Sequence, residues 1–335
     1  MANIKDVAKL SNVSVATVSR VLNGSENVSA ETRKRVLKAI KKLNYKPKPS
    51  FSNNILFKTI GVLVPDIRGY HYSDIVMAIE SFAYEKGFDI MLAIPKNDPL
   101  NEKNILDQYF KRKVDGIILA EFYGDTKLID RFINSGVPIV VMDFNVEEIN
   151  FDVVNVDNEG GAYKAIEYLY KNGHRNIFVI RGPNNSPAAI ERLKGIRKFM
   201  YKKSDLNVIF SETEGYNPND GSDAIYSYLA KNPLNFTAVF AVNDWTAFGA
   251  MDALKSYGYK IPDDVSIIGF DDSPFAEFVN PKLTTIKQPR EEIGITATEI
   301  LIERITNKRK RLPKNVVLPT TLIERNSVRR INNEY

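Results

Sequence analysis

The 335-residue sequence contains no cysteine. This absence excludes a disulfide framework, a zinc site built on thiolates and a cysteine nucleophile, and it fits a reducing compartment. The two histidines, His71 and His174, are not at the spacing of metal ligands. There is also no phosphate-binding loop, no GxGxxG motif and no motif that would assemble a Ser/His/Asp set. We therefore expect no metal, no cofactor and no enzymatic activity.

Long hydrophobic runs are absent as well. The longest apolar stretches, such as IGVLVP and VDGIILA, have the length of a strand and not of a membrane span. The N-terminal residues MANIKDVAKL have neither the apolar core nor the cleavage site of a secretory signal. The sequence therefore predicts a cytoplasmic protein of two or three domains.

Positive charge is concentrated at the start of the chain. Residues 1–50 contain eleven lysines and arginines and three acidic residues, a net charge of +8, whereas residues 51–335 carry a net charge of −3. A small basic unit beside a nearly neutral body indicates a polyanionic partner at one end of the chain. The alternative is a solvated charged helix face, and composition alone does not separate the two interpretations.

Three short amphipathic helices are predicted within residues 1–46. Asn3, Ser14 and Ser29 each precede an apolar-periodic stretch, where their side chains can cap the helix. The apolar side chains expected to face inward are Ile4, Val7, Ala8, Leu10, Val18, Val21, Leu22, Val36, Leu37, Ile40 and Leu43. Three helices with a tight turn between the first two are typical of a helix-turn-helix unit, whose second helix enters the major groove of DNA.

Small side chains begin the second of these helices. Val15 and Ala16 can approach base edges closely and contact thymine methyl groups, and Arg20 has the reach for a guanine. The residues predicted to bind phosphate oxygens are Thr17, Ser19 and Asn23. The alternative is a three-helix bundle that binds no nucleic acid.

The stretch IKDVAKLSNVSVATVSRVLN, followed by NYKP at 44–47, resembles the head-piece of the lactose repressor/galactose repressor (LacI/GalR) family of bacterial transcription regulators. The resemblance extends over nearly the whole chain. It implies an α/β protein with a three-helix head-piece and a two-lobed body like the periplasmic sugar-binding proteins. It also implies a homodimer on a pseudo-palindromic DNA operator. The residues predicted to contact DNA are Asn3, Ser14, Val15, Ala16, Thr17, Ser19, Arg20, Asn23, Ser29, Thr32, Tyr45, Ile55 and Leu56.

The linker is where the resemblance weakens. Family members carry here a short helix that wedges a leucine into the minor groove, commonly within an Ala-Arg-x-x-Leu pattern. This sequence has FSNNIL at 51–56, without the arginine. Ile55 or Leu56 can supply the apolar wedge. The alternative is a plain flexible linker.

From residue 60 onward, apolar runs alternate with amphipathic helices. The runs lie at 60–65, 88–93, 114–120, 138–144, 153–157, 176–182, 207–212, 237–243 and 265–271. Continuously apolar strands indicate parallel sheets covered on both faces, and this number of strands favours two sheets over one. We therefore predict a body built on two parallel sheets. The resemblance divides the chain into a head-piece (1–46), a hinge (47–59) and a two-lobed body (60–335), and it implies an N-terminal lobe of 60–157 and 289–316 and a C-terminal lobe of 158–286 and 320–330.

Polar residues follow several of the predicted strands. Ligands of such folds bind beyond the carboxyl ends of the strands, where this chain has Asp66, Asp143, Asn243, Trp245 and Asp271. Carboxylates and amides can bind vicinal hydroxyls, and aromatic rings can cover the apolar face of a sugar. The family resemblance assigns further effector contacts to His71, Tyr72, Arg192, Tyr216 and Gln288.

Each of these residues also has a structural interpretation. Asp244 is expected to cap the helix that begins WTAFGAM. Arg192 could form an ion pair, Tyr216 could pack on the surface, and Trp245 could belong to a core or to a contact between the lobes. Only convergence on one cleft would favour binding over these alternatives.

The leading hypothesis is a DNA-binding regulator of carbohydrate-utilisation genes, switched by a sugar-like molecule between the lobes. One alternative keeps the DNA function and makes a phosphorylated carrier protein the corepressor, and another replaces the sugar with a purine. A solute-binding protein or a sugar enzyme is a third class of function. The missing secretory signal and the missing catalytic motif argue against that class.

Overall fold

The computed structural model describes residues 3–22, 28–43, 45, 58–96, 98–120, 122, 126–144, 150–307 and 312–331. The chain divides into two compact units, residues 1–57 and residues 58–335. No helix in the described part of the chain is long and apolar enough to cross a membrane.

The first unit contains three helices. They are α1 (Ile4–Ser11), α2 (Val15–Leu22) and α3 (Ala30–Lys42). Asn3 forms a capping box with Asp6, and Ser14 Oγ accepts a hydrogen bond from the backbone N–H of Thr17 at 3.1 Å. Ser29 caps α3 by accepting from the backbone N–H of Thr32 at 3.3 Å. All three predicted N-caps are therefore confirmed, because each side chain binds a backbone donor that the first helical turn leaves unpaired.

The core of the first unit is a narrow apolar stripe. Its buried members are Val7, Ala8, Val18, Val21, Val36 and Ala39. Leu10 and Leu37 were predicted to face inward, and both predictions were wrong because their exposed fractions are 44 % and 53 %. Val36 and Ala39 occupy the inward face of α3. Leu37 follows Val36 by about 100° around the helix axis, so its side chain lies at the edge of the apolar stripe.

The second unit contains two six-stranded sheets. The first sheet has the order β11-β5-β4-β3-β1-β2 and consists of β1 (Lys58–Leu63), β2 (Phe88–Ala93), β3 (Gly116–Ala120), β4 (Ile139–Met142), β5 (Asp152–Val156) and β11 (Asn315–Leu318). The second sheet has the order β12-β10-β9-β8-β6-β7 and consists of β6 (Asn176–Arg181), β7 (Asn207–Glu214), β8 (Ala238–Ala241), β9 (Ser266–Asp271), β10 (Thr284–Lys287) and β12 (Thr321–Ile323). Strand β1 includes Lys58 and Thr59, which the sequence analysis placed in the linker.

Helices cover both faces of each sheet. They are α4 (Tyr70–Glu85), α5 (Pro99–Arg112), α6 (Thr126–Asn134), α7 (Asn158–Lys171), α8 (Pro187–Met200), α9 (Pro218–Leu229), α10 (Asp244–Ser256) and α11 (Arg290–Thr306), with a 3-10 turn at Pro274–Glu277. All strand pairs are parallel except β10 with β12. Strands β3, β4, β8 and β9 are buried along their whole length, which explains their continuously apolar sequences. The predicted α/β architecture with two parallel sheets is confirmed.

The chain passes between the two sheets three times. It does so from β5 to α7, from β10 to α11, and from β11 to β12. Because the crossings return the chain to the same region, the carboxyl ends of strands from both sheets border one shared space.

Candidate functional site

A cavity of about 550 Å³ lies between the two sheets of the second unit. Its volume is in the range of small-molecule sites in proteins. All ten residues that the sequence analysis proposed as effector contacts line it: Asp66, His71, Tyr72, Asp143, Arg192, Tyr216, Asn243, Trp245, Asp271 and Gln288. Their role in binding stays a prediction, but their convergence on one space is a property of the structure.

Strand ends position the acidic residues of the cavity. Asp66 follows β1, Asp143 follows β4, and Asp271 ends β9. Asp143 and Asp271 have positive φ angles of 53° and 122°, which turn the chain away from the strand direction at the cavity. Residues other than glycine adopt such angles at an energetic cost, and aspartate is among the residues that adopt them most readily.

The residues divide into two sides according to the sheet that carries them. The first-sheet side consists of Asp66, His71, Tyr72 and Asp143. The second-sheet side consists of Arg192, Tyr216, Asn243, Trp245, Asp271 and Gln288.

Arg192 on α8 is the most constrained cation of the cavity. Its Nε donates to Asn158 Oδ1 at 2.9 Å and its Nη1 donates to the carbonyl oxygen of Val242 at 2.5 Å. Its guanidinium stacks on Phe270, 3.7 Å from the ring centroid, and its Nη2 lies 3.7 Å from Asp271 Oδ1. The side chain is 5 % exposed. A guanidinium held in this way can present its remaining N–H groups to a ligand in a fixed direction.

Asp271 connects Arg192 to a second planar group. Gln288 Nε2 donates to Asp271 Oδ1 at 2.6 Å, and Gln288 is itself buried. A guanidinium, a carboxylate and a carboxamide thus form one continuous polar surface on the second-sheet side.

Arg290 was missed by the sequence analysis. It begins α11, which packs on the first sheet, and its Nε donates to Asp74 Oδ2 on α4 at 2.8 Å. Its two Nη atoms donate to the backbone carbonyls of Asp271 and Asp272, which belong to the second sheet's side of the cavity. One guanidinium therefore bridges the two halves of the body. In the sequence, Arg290 is distinguished only by its position directly after Gln288 and Pro289, where the chain is predicted to cross between the lobes.

Other polar lining residues were also missed, among them Arg68, Glu214, Asp220 and Ser273. Arg68 forms an exposed pair with Asp66, in which Nε and Nη2 donate to Oδ2 at 2.8 and 2.6 Å. The hydrogen bond from Arg68 lowers the pKa of Asp66 below its usual value. Glu214 pairs with Arg181 at 2.9 Å. Arg68 lies in a loop, Glu214 ends β7, Asp220 lies in the first turn of α9, and Ser273 precedes the 3-10 turn. No sequence pattern distinguishes these positions, so they are identified by the contacts of the folded chain.

Asp244 is not the helix cap that the sequence analysis expected. Asn243 caps α10 by accepting from Thr246 N at 2.8 Å. Asp244 is fully buried and accepts hydrogen bonds from Ser273 N and Thr285 Oγ1, both at 2.6 Å. Burial and the negative charge of nearby Asp271 raise the pKa of Asp244 to about 8. Because Asn243 already caps α10, Asp244 can bind residues outside the helix.

Aromatic side chains close one end of the cavity. The rings of Tyr70 and Trp245 both contact Phe275 edge-on, with centroid distances of 5.2 and 5.7 Å. A Cβ atom added to Gly69 would lie 3.0 Å from Trp245 Nε1, so the indole lies directly against the chain at the start of α4. The alternative of Trp245 as a core residue is wrong, because the ring is partly exposed and lines the cavity.

Two uncharged polar atoms at the cavity lack a hydrogen-bond partner among the described residues. They are His71 Nδ1 and Ser273 Oγ, and both are shielded from solvent. Burial of the ring and the nearby charges of Arg192 and Arg290 lower the pKa of His71 well below its usual value, so the imidazole is neutral at pH 7. Unpaired buried polar atoms are costly and are commonly satisfied by water or a ligand. His174, in contrast, bonds to Thr237 Oγ1 at 2.9 Å and to the carbonyl of Arg329 at 3.1 Å, so both of its ring nitrogens have partners.

The residues proposed to read DNA bases lie on the outer face of α2. Val15, Ala16 and Arg20 are exposed, whereas Val18 and Val21 are buried. Asn23, Ile55 and Leu56 lie outside the described residues. Within the described part of the chain, no group of His, Cys, Asp or Glu residues could hold a metal ion.

Comparison with known families matches both units. Residues 3–48 match the family described as "Bacterial regulatory proteins, lacI family", and residues 166–328 match "Periplasmic binding protein-like domain". The HTH-type transcriptional repressor PurR of Histophilus somni is 36 % identical over 317 residues, which covers 92 % of this chain and 94 % of that protein. PurR of Haemophilus influenzae is 36 % identical over 340 residues, covering 99 % of this chain and 100 % of the relative.

Solved structures show the same fold. The transcriptional regulator CelR in complex with cellobiose is 31 % identical, has a TM-score of 0.73, and covers 98 % of this chain and 100 % of its own. A LacI family transcriptional regulator from Enterococcus faecalis V583 with bound ribose is 32 % identical, with a TM-score of 0.74 and coverage of 82 % and 100 %. The lac repressor dimer bound to operator and the anti-inducer ONPF is 27 % identical, with a TM-score of 0.77 and coverage of 98 % and 99 %. The head-piece, the two-lobed body and these full-length relatives together show that the chain belongs to the LacI family of bacterial DNA-binding transcriptional repressors, which are not enzymes.

Proposed function

We propose that this protein represses carbohydrate-utilisation genes and that a sugar bound in the cavity controls its affinity for the operator. The observation that carries the sugar assignment is the continuous surface formed by Arg192, Asp271 and Gln288. Its planar donors and acceptors match the vicinal hydroxyls of a pyranose or furanose. Trp245 and Tyr216 line the same space and can cover the apolar face of the ring.

The switch would act through the relative orientation of two lobes, 60–157 with 289–316 and 158–286 with 320–330. Arg290 bonds to both, so the two lobes share a contact that a change in orientation would alter. A ligand shifts such an equilibrium only by its difference in affinity for the two states. The sugar would therefore favour one orientation and change the spacing of the hinges at 47–59, and with it the operator affinity.

The DNA-binding half of this proposal uses two head-pieces of a homodimer on a pseudo-palindromic operator in the cytoplasm. Val15, Ala16 and Arg20 would contact base edges, and Thr17 and Ser19 would contact phosphates. Asn3, Ser14, Ser29, Thr32 and Tyr45 are proposed as further contacts, and the hinge wedge is proposed at Ile55 or Leu56.

Substitution of Arg20 tests the recognition helix. R20A should lose about 1–3 kcal/mol of discrimination at one base pair of each half-site, while its affinity for unrelated DNA should change much less. The measurement is fluorescence anisotropy on operator variants at fixed salt. Lys42, a basic residue of α3 outside the proposed recognition helix, provides the matched control K42A. Equal losses in R20A and K42A on all sequences would contradict the assignment.

A purine is the second candidate effector, because the relatives named PurR are 36 % identical over nearly the whole chain. A purine would lie flat between aromatic faces and use in-plane hydrogen bonds to its edges. A thermal-shift screen with ribose, glucose, cellobiose, adenine and guanine separates the two candidates. Stabilisation by a sugar, followed by a change in operator affinity with that sugar, supports the proposal. Stabilisation by purines alone contradicts it.

A further inference from the structure

The charge of the cavity lining is unbalanced. Five carboxylate side chains line it, Asp66, Asp143, Glu214, Asp220 and Asp271, but only three guanidinium groups, Arg68, Arg192 and Arg290. None of the described lining residues is a lysine. The lining therefore has a negative net charge, in a protein whose total charge is +5.

Each of the three cations is already paired with a carboxylate. Arg68 pairs with Asp66 at 2.6 Å, Arg290 pairs with Asp74 at 2.8 Å, and Arg192 lies 3.7 Å from Asp271. A phosphate or carboxylate on a ligand would have to compete with these partners. It would also approach the other acidic side chains of the lining, which repel it.

Helix N-termini, which often bind anions, are largely occupied by the chain itself. Ser186 caps α8, the capping box of Asn217 and Asp220 closes α9, and Asn243 caps α10. Both α8 and α9 begin with proline, which has no N–H to donate. Two described helices that begin at the cavity, α4 and α11, have no side-chain cap. Asp66 lies before α4, and the first turn of α11 contains Glu291 and Glu292, so acidic side chains lie near both starts.

The polar atoms that lack partners are uncharged. His71 Nδ1 and Ser273 Oγ can exchange hydrogen bonds with hydroxyl groups, but neither supplies a positive charge. A lining whose cations are all paired, and whose unpaired buried polar atoms are neutral, is the complement of a neutral polar ligand.

From this charge distribution we infer that the cavity selects an uncharged polyhydroxyl ligand and rejects its phosphorylated form. The inference rests on the proposed sugar-binding function and specifies its ligand class. The cavity would bind a free sugar and exclude the sugar phosphate that metabolism forms from it. The repressor would therefore respond to the sugar before it is phosphorylated.

The single tryptophan makes the charge of the cavity measurable without any ligand. Trp245 lines the cavity, so its fluorescence can be quenched by iodide, by caesium and by neutral acrylamide at equal ionic strength. For each ion, the quenching constant of the folded protein is divided by that of the urea-unfolded chain. We expect this ratio to be about threefold lower for iodide than for caesium. A ratio for iodide equal to or higher than that for caesium would overturn the inference.

Two variants make this test specific. E214Q removes one negative charge from the lining, and E167Q removes one from the exposed surface of α7, where Glu167 pairs with Lys171. We expect E214Q to increase iodide quenching and E167Q to leave it unchanged. An equal effect of both variants would show that total charge, and not the cavity, controls the quencher.

Matched ligand pairs then test selection directly. The probes are ribose with ribose 5-phosphate, glucose with glucose 6-phosphate, and cellobiose with its phosphate, titrated against Trp245 fluorescence. We expect the free sugar of a binding pair to bind at least about tenfold more tightly than its phosphate. Tighter binding of the phosphate would overturn the inference while leaving a sugar effector intact. Binding of adenine or guanine alone would contradict the sugar proposal. The comparison of iodide with caesium quenching would still test the negative charge of the cavity, because it needs no ligand.

Discussion

The two sides of the cavity differ in how firmly the protein holds them. On the second-sheet side, the side chains of Arg192 and Asp271 are 5 % and 13 % exposed and are linked to Asn158, Val242 and Gln288. On the first-sheet side, the side chains of Asp66 and Arg68 are 39 % and 85 % exposed and pair with each other two residues apart.

This difference indicates separate tasks for the two sides. A buried, cross-linked surface loses little freedom when a ligand binds, so the second-sheet side is suited to fixed recognition. Exposed local pairs can rearrange at low cost, so the first-sheet side is suited to adjust as the lobes change orientation. Substitutions on the two sides should therefore have unequal effects.

The largest effect is expected from R192A. The substitution removes the partner of a buried carboxylate and leaves Asn158 Oδ1 and the carbonyl of Val242 without their donor. We expect a loss of about 3 kcal/mol or more in the free energy of unfolding, measured by urea denaturation. A loss no greater than that of R68A would remove the distinction between the two sides.

Asp244, beneath the second-sheet side, should give the next largest effect. In D244N, an amide nitrogen replaces one of the two oxygens that accept from Ser273 N and Thr285 Oγ1, so one of these two hydrogen bonds loses its acceptor, which should lower the free energy of unfolding by about 1–3 kcal/mol.

The same residue also predicts a pH dependence. The pKa of Asp244 is raised from 3.8 to about 8, so the folded state binds more protons than the unfolded state between these values. Stability from this group is therefore present below pH 4 and is lost as the pH rises toward 8. Urea denaturation from pH 4 to 8 should show a decline in the wild type that is weaker in D244N. Parallel profiles for the two proteins would contradict the assignment.

Arg290 tests the connection between the two sides. R290A removes the bonds to Asp74 on one side and to the carbonyls of Asp271 and Asp272 on the other. We expect about tenfold less change in operator affinity on saturation with the sugar found in the thermal-shift screen, because the lobes lose a shared contact. The matched control is R304A, whose bidentate pair with Asp152 lies within the first-sheet half. It should lower stability and leave the coupling intact, and equal coupling losses would contradict the bridging role.

The smallest effect is expected from D66N on the first-sheet side. Its partner Arg68 is largely exposed, and pairs of this kind contribute little to stability in water. The pKa of Asp66 is lowered by Arg68, so its small contribution is present at neutral pH and is lost on acidification. We expect no measurable change in the urea midpoint at pH 7. A destabilisation comparable to that of D244N would show that the first-sheet side is as firmly held as the second.

Much of the fold could be predicted because its signals are local. The caps at Asn3, Ser14 and Ser29 act within one helical turn, and the apolar runs that became β1 to β9 are buried by helices next to them in sequence. Strands β10, β11 and β12 were not predicted as runs, because they are short and only partly apolar. Leu37 was placed wrongly because helical periodicity does not give the width of the buried stripe.

The candidate site was predicted in position but not in its connections. The strand-end rule and the family resemblance located ten lining residues, whereas Arg290 was missed because its partner Asp74 is 216 residues away in sequence. Asp244 was assigned to a local cap because its partners Ser273 and Thr285 follow 29 and 41 residues later.

By itself, the sequence determined the helix-turn-helix head-piece, the alternation of strands and helices, and the residue types available at the strand ends. These properties depend on neighbours within a few residues, so they can be read along the chain. Which charges share the cavity, which of them are paired, and which polar atoms lack a partner among the described residues became clear from the folded chain. Those properties depend on burial and on contacts across the three crossings between the sheets, which bring residues from distant parts of the chain within hydrogen-bond distance.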